Sequence, residues 1–585
     1  MQAIHTKTRL HIAASLAGLA ALAAYSSLPG KVSTGASAPG APAQLKPAVA
    51  SGLQQCTTLA TGFKFDNTQI DSAEKLASGA LMLAGKPIAD HCLVRGSMFK
   101  RKGVDGQDYA IGFEARLPQN WNGRFYYQAN GGIDGVVQVA QGALGGGPLT
   151  GALAQGFATL SSDAGHSARQ NPRFGIDPQA RADYGYAAVG KLTPMAKQLI
   201  AAAYGKAPDR SYIGGCSNGG RHAMVAASRY GDQFDGYLVG APGYRLPNAA
   251  LAQLWAAPQW KALATEGATV NHPFAPNVKI PDLGTALTAS ERQTVATAIL
   301  AQCDGLDGAK DGLIQDVKAC QAAFNLSADV ATCSGARNGQ CLSADQKRVL
   351  GAVYAGGKTS SGQNIYASFP WDAGIASPNW AQWKFVNSQV LDPAAGYIFM
   401  NPARTIDPFN NDVDDGFKAI YAKADAYKES GDDVITPVGK DNPTNLAGLR
   451  ARGAKMVLYH GVSDAIFSAQ DTSAWMDRLN NAQGGSAASF ARYFPVPGMA
   501  HCSAGPSADQ FDMLTPLVNW VERGIAPQSV VASARGVGNA GGANAELPAQ
   551  WSATRTRPLC AYPTYAHYNG AGDPEDASNF SCKPP

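Results

Sequence analysis

Short apolar runs bounded by glycine, proline or asparagine alternate with stretches of helical period through the first half of the chain, and this alternation predicts a mostly parallel sheet covered by helices. Strands are expected over 112–118 (GFEARLP), 123–132 (GRFYYQANGG) and 156–165 (GFATLSSDAG), then a long helix over 186–205 and a short buried strand ending in Ser211, Tyr212 and Ile213. The period then changes, and Met224, Val225 and the alanines up to Tyr230 read as a helix stopped at Gly231. Past Pro242 the pattern gives way to tryptophans, four cysteines, short loops and an aspartate-rich turn, and strand signals return only at 454–461 (AKMVLYHG) and 491–498 (ARYFPVPG). A sheet interrupted and then resumed implies one domain, 56–242 with 448–585, carrying an inserted lid over 243–447.

With 585 residues, 45% hydrophobic and 16% charged, the chain is long and apolar enough for a large core. Lys7 and Arg9 precede the apolar run IAASLAGLAALAAY at 12–25, too short for a comfortable span but suited to a signal peptide, expected over 1–30 and followed by a Pro/Ala/Ser linker over 31–55. Export to the periplasm or the extracellular space follows, with no membrane span in the mature chain. The net charge is +4 and falls to +2 without Lys7 and Arg9. No basic cluster is dense enough to neutralise a phosphate backbone, so nucleic acid is not an expected partner.

The stretch SYIGGCSNGGRHAMVAASRYG (211–231) places Ser217 inside a Gly-x-Ser-x-Gly pattern. In a chain with 65 glycines the bare pattern decides little, and an idle serine in a glycine turn is its plain alternative. Strand, tight turn and helix in succession are nevertheless the setting of a nucleophile elbow in an α/β-hydrolase fold, where an acid and a histidine follow from the ends of later strands. LYHGVSDAIFS puts Asp464 after one such strand, and FPVPGMAHCSAG puts His501 after the next. His460 and His222 are the rival bases: the first sits at a strand end, the second in the helix leaving the elbow. The backbone N–H of Asn218 is one expected oxyanion donor and that of Gly132, in NGGIDG, the other, unless that loop is an ordinary turn.

Ten cysteines behind an export signal suggest five disulfides. Proximity in sequence suggests Cys56 with Cys92, Cys303 with Cys320, Cys333 with Cys341 and Cys560 with Cys582, leaving Cys216 beside Ser217 and Cys502 beside His501. If the serine and histidine meet, their neighbours approach disulfide distance. Two buried free thiols are the alternative. CDGLDGAKDGLI sets Asp304, Asp307 and Asp311 among glycines, with the carbonyls of Ala309 and Leu313 nearby. These are hard ligands suited to Ca²⁺, although a solvated acidic turn has the same spacing.

In GCSNGGRHAMVAASRYGDQFDG, GFATLSSDAGH, CDGLDGAKDGLI, HGVSDAIFS and PGMAHC the chain resembles the tannase and feruloyl esterase family, most closely its mono(2-hydroxyethyl) terephthalate hydrolase branch. The resemblance implies an α/β-hydrolase fold with a large lid, a Ser217, Asp464, His501 triad, a disulfide joining Cys216 to Cys502, and a structural Ca²⁺ on Asp304, Asp307, Asp311 and the Ala309 and Leu313 carbonyls. It also implies small esters of aromatic acids as substrates. Within the lid, NWAQWKFV spaces Trp380 and Trp383 for one helical face, where one or both could stack on a substrate ring or simply pack the lid. The expected activity is that of a secreted serine carboxylic ester hydrolase. The alternatives are an acyltransferase using the same triad and a non-catalytic binding protein on the same fold.

Overall fold

The computed structural model describes residues 43–585 except 148, 444 and 445, so the expected signal peptide and most of the linker lie outside the described residues. The core is a nine-stranded sheet of β1 (Thr68–Leu76), β2 (His91–Lys102), β3 (Asp108–Pro118), β4 (Arg124–Gln128), β5 (Ala158–Ser162), β6 (Arg210–Cys216), β7 (Gly236–Gly240), β8 (Lys455–Gly461) and β9 (Ala491–Val496). Their spatial order is β9-β8-β7-β6-β4-β5-β3-β2-β1. From β9 to β5 every pairing is parallel, and from β5 to β1 every pairing is antiparallel.

The longer helices are α1 (Ala188–Tyr204), α2 (Asn218–Arg229), α3 (Leu246–Leu263), α4 (Ala289–Cys303), α5 (Ala344–Tyr354), α6 (Ala469–Ala482) and α7 (Leu514–Arg523). Consecutive residues of the central strands point to opposite faces and both faces are covered, which is why these strands read as unbroken apolar runs. Ile213, Val239 and Leu458 pack under α1, α2 and α6, with Leu192, Met224 and Trp475. Their neighbours Tyr212, Leu238 and Val457 pack under α7, with Leu514, Leu517 and Trp520. This mixed sheet with helices on both faces is an α/β-hydrolase fold.

Between β7 and β8 the described residues add no strand to the sheet. It builds a helical layer with its own apolar core, including Leu251 and Trp260 of α3, Val295 and Ile299 of α4, and Val349 and Leu350 of α5. The described residues from 43 to 585 nevertheless form one compact unit.

Two features differ from the sequence reading. The antiparallel strands β1 and β2 had no counterpart in it; β1 (TQIDSAEKL) is a mostly polar edge strand and lacks the apolar run of its central neighbours. The end of the expected linker is docked and not free. The N–H of Ala48 donates to Glu522 (2.9 Å), that of Val49 to Asp209 (2.8 Å), and Ser51–Gly52 pairs with Asn120–Trp121. No described helix is long and apolar enough to cross a membrane.

Candidate active site

Ser217 occupies the turn between β6 and α2 with a left-handed backbone (φ 65°), a conformation that costs a non-glycine residue energy and persists only where its surroundings fix it. Its N–H donates to Gly240 O at the end of β7 (3.0 Å). A Cβ on Gly215 would lie 2.2 Å from Ala129 O, and one on Gly219 would lie 2.3 Å from the same oxygen. The two glycines of the pattern are therefore both required by one passing strand end, which an idle serine in a chance turn would not need.

Asp464 follows β8 and His501 follows β9, and the three side chains meet. His501 Nδ1–H donates to Asp464 Oδ2 (2.7 Å), and the hydroxyl of Ser217 donates to His501 Nε2 (2.8 Å). The other carboxylate oxygen, Oδ1, accepts the N–H groups of Ile466 (2.9 Å) and Phe467 (3.0 Å), which fixes the acid's orientation. Burial alone would raise the pKa of Asp464, but the charge and hydrogen bonds of His501 and His460 outweigh it and hold the carboxyl well below its usual range. Rings close on two sides of the imidazole: Trp383 at 4.5 Å and Phe467 at 5.3 Å between centroids, both edge-on.

Neither rival histidine reaches Ser217. His460 is fully buried behind Asp464, with Nε2 3.3 Å from Asp464 Oδ2 and 3.0 Å from Phe467 O, and Nδ1 2.8 Å from Thr472 Oγ1. His222 turns to Asp134, with Nε2 2.8 Å from Oδ2.

Cys216 and Cys502 are joined, with Cα atoms 6.0 Å apart across 286 residues of sequence, so the nucleophile turn and the histidine loop are covalently tied. The four local pairs suggested by sequence proximity also form, and no cysteine among the described residues is free. Asn218 opens α2, where no preceding turn supplies a partner for its N–H. The loop after β4 runs alongside: a Cβ on Gly131 would lie 3.9 Å from Ser217 Cβ, and Gly132 is left-handed at φ 64°. Asn218 thus follows the serine directly, and Gly132 lies on the loop whose Gly131 approaches it.

The two tryptophans part company. Trp380 is 2% exposed and packs against Phe385 and Tyr354, whereas Trp383 lies against His501. Both rings pack on the same apolar cluster, and the winding changes between them, from the α-turn Pro378–Ala381 to the π-turn Gln382–Asn387.

The aspartate loop follows α4 and faces the C-terminal segment. Asp304 Oδ1 accepts the N–H of Gly312 (2.8 Å), Asp307 accepts those of Ala309 (3.1 Å) and Gln315 (2.9 Å), and Asp311 accepts that of Leu313 (3.0 Å) and pairs with Arg557. Burial, with Asp311 and Asp304 adding repulsion, pushes Asp307 up to about 7 against the pull of its backbone donors. Asp304 is raised in the same way. Among the described residues no three or more acidic, histidine or cysteine side chains converge as a formed metal cage. The donor types in the loop, three carboxylates with no nitrogen or sulfur ligand, are those a hard cation takes, although Asp311 is paired with Arg557.

A model of the family described as tannase and feruloyl esterase matches residues 92–583. Mono(2-hydroxyethyl) terephthalate hydrolase of Piscinibacter sakaiensis is 36% identical over 561 residues, covering 88% of this chain and 87% of that protein. The crystal structure of feruloyl esterase B from Aspergillus oryzae superposes with a TM-score of 0.69 at 24% identity, covering 90% of this chain and all of that one. Tannin acyl hydrolase from Aspergillus niger gives 0.63 at 19%, covering 89% and 92%. These two likenesses carry the fold, and the family match spans nearly all of the described chain: the protein belongs to the tannase and feruloyl esterase family.

Proposed function

We propose that this chain is an exported serine esterase that hydrolyses esters of aromatic acids through an acyl-enzyme. The supporting observation is the unbroken line from Ser217 Oγ through His501 to Asp464, placed at a strained turn. Ser217 Oγ attacks the ester carbonyl as its proton passes to His501 Nε2, and Asp464 stabilises the resulting imidazolium. The N–H groups of Asn218 and Gly132 receive the developing oxyanion. His501 returns the proton to the departing alcohol, then takes one from water, which attacks the acyl-enzyme and releases the acid and Ser217.

The aromatic class is supported by the relatives, a mono(2-hydroxyethyl) terephthalate hydrolase, a feruloyl esterase and a tannin acyl hydrolase, and by Trp383 beside the imidazole. Purified protein offered gallate, ferulate and terephthalate monoesters should turn over at least one far faster than an aliphatic ester, and no turnover of any would refute the reading. Adding an alcohol acceptor and analysing products separates hydrolysis from acyl transfer. Export is supported by the five disulfides.

The tryptophans give a paired prediction. Trp383→Ala should lower kcat/KM for aromatic esters by about fivefold or more, equivalent to about 1 kcal/mol of ring contact, and affect an acetate much less. Trp380→Ala should instead destabilise the protein by about 3–5 kcal/mol, read as a fall in Tm, without changing substrate preference. Equal kinetic losses on both esters for Trp383→Ala would place acid recognition elsewhere.

We also assign a structural Ca²⁺ to the Asp304, Asp307 and Asp311 carboxylates with the Ala309 and Leu313 carbonyls. The ion would neutralise their mutual repulsion and brace the lid against the C-terminal segment, where Tyr568 N–H donates to Asp307 O (2.9 Å) and Arg555 to Asp311 O (2.8 Å). Chelation should lower Tm more than it lowers the rate of enzyme that remains folded. Unchanged melting together with metal analysis free of calcium would return the loop to an acidic turn.

A further inference from the structure

Gly132 and Asn218 lie on different segments, yet their N–H groups have to face one point, and one buried cluster ties the two segments together. Asp134, two residues past Gly132, is itself left-handed (φ 48°), and its side chain is 1% exposed. Its Oδ2 accepts two donors from α2: Asn218 Nδ2 (3.0 Å) and His222 Nε2 (2.8 Å). Convergence on a single oxygen is why those two nitrogens stand 3.2 Å apart. Asn218 Oδ1 in turn accepts Arg221 Nε (2.6 Å), and the Tyr184 hydroxyl lies within reach of both Asn218 Oδ1 (3.3 Å) and Gly132 O (3.4 Å).

The far side of the loop is held as well. Ile133 O is 2.9 Å from His166 Nε2, Asp134 O accepts Asn171 Nδ2 (3.2 Å), and Gly135 N–H donates to Asp163 O (3.0 Å). Burial, then the charge of Arg221, pushes His222 far below its ordinary range, so its ring is neutral, while burial raises the carboxyl of Asp134. A buried polar cluster of this kind costs desolvation, and it is kept where a fixed geometry requires it.

We propose that Asp134 and His222 are positioning residues, a buried clamp that locks the loop carrying Gly132 to the helix carrying Asn218 and so sets the spacing of the two oxyanion donors. The proposal rests on the esterase reading of the same site. The clamp touches neither the substrate nor the triad, so its loss acts on the transition state through the donors. A misplacement of about 1 Å near the chemistry costs on the order of 100-fold, and loss of one oxyanion donor about 10²–10³.

The test uses single-turnover acylation by the full chain, with sites counted by a fluorophosphonate. Asp134→Ala and His222→Leu should lower the acylation rate constant by about 10- to 100-fold, with half-saturation within about twofold. Affinity for an aryl boronate, which adds to Ser217 as a tetrahedral anion, should fall with the rate, while affinity for the product acid should not. His222→Gln, whose amide can still donate to Asp134, should recover most of the loss seen in His222→Leu. Should Asp134→Ala fail to fold, the two His222 variants decide the matter. Acylation within twofold of wild type in the folded variants, product-acid affinity falling with the rate, or His222→Gln no better than His222→Leu would each overturn the clamp. Ser217→Ala runs in parallel: turnover surviving in that variant would refute the esterase reading, whereas Ser217-dependent turnover indifferent to the clamp variants would refute only the clamp.

Discussion

Replacing Ser217 by alanine should lower kcat/KM for aromatic esters by about 10⁴-fold or more while leaving Tm nearly unchanged. Without the Oγ no acyl-enzyme forms, and what survives is the contribution of the oxyanion donors and substrate binding to direct attack by water. The fold should tolerate the change. The turn is held by Gly215 and Gly219 against Ala129 O, by the N–H of Ser217 on Gly240 O and by the Cys216–Cys502 disulfide, and none of these uses the hydroxyl. The measurement is steady-state kinetics with circular dichroism melting. Residual activity near wild type would remove Ser217 from the chemistry.

The second large effect belongs to Asp464→Asn, expected to reduce kcat by about 10³–10⁴-fold. The shape of the site survives, but an amide N–H turned toward His501 Nδ1 favours the tautomer protonated on Nε2, and Nε2 then has no lone pair for the proton of Ser217. The same substitution has a pH signature. Because the native state holds this carboxyl below its ordinary value, its stabilising contribution is complete above about pH 4 and is lost as pH falls through the lowered native pKa. The variant should therefore lose stability less steeply in acid than wild type. A kcat within tenfold of wild type, or identical acid-melting profiles, would show that the carboxylate neither sets the tautomer nor carries that charge.

The sequence made the site legible where spacing follows directly from backbone geometry. Ser217, Asp464 and His501 each stand just past a buried apolar strand, and parallel strands bring such ends to one edge of the sheet. Cys216 and Cys502 were readable because they sit beside two residues that have to meet. Other features needed three-dimensional placement. Trp380 and Trp383 pack on one apolar cluster, and their spacing gives no sign that only the second has its ring against that of His501. The Asp134–His222 contact spans 88 residues and joins a loop to a helix through one buried oxygen, for which no local period gives a sign. Strand β1 and the docked segment near Ala48 have a related cause: β1 is held by strand pairing at the sheet edge, the segment by main-chain N–H groups donating to Glu522 and Asp209 and a two-residue pairing, and neither buries a continuous apolar run.

The claim that decides the account is that the reaction passes through an ester on Ser217. Rapid acid quench during turnover of an activated aryl ester of ferulate, followed by peptide mass spectrometry, tests it directly. The expected result is a feruloyl mass increment on the peptide containing Ser217, formed in a burst of about one alcohol per active chain and blocked by prior fluorophosphonate labelling of the same peptide. Turnover that proceeds with no burst and no adduct, or with the adduct on another residue, would contradict it.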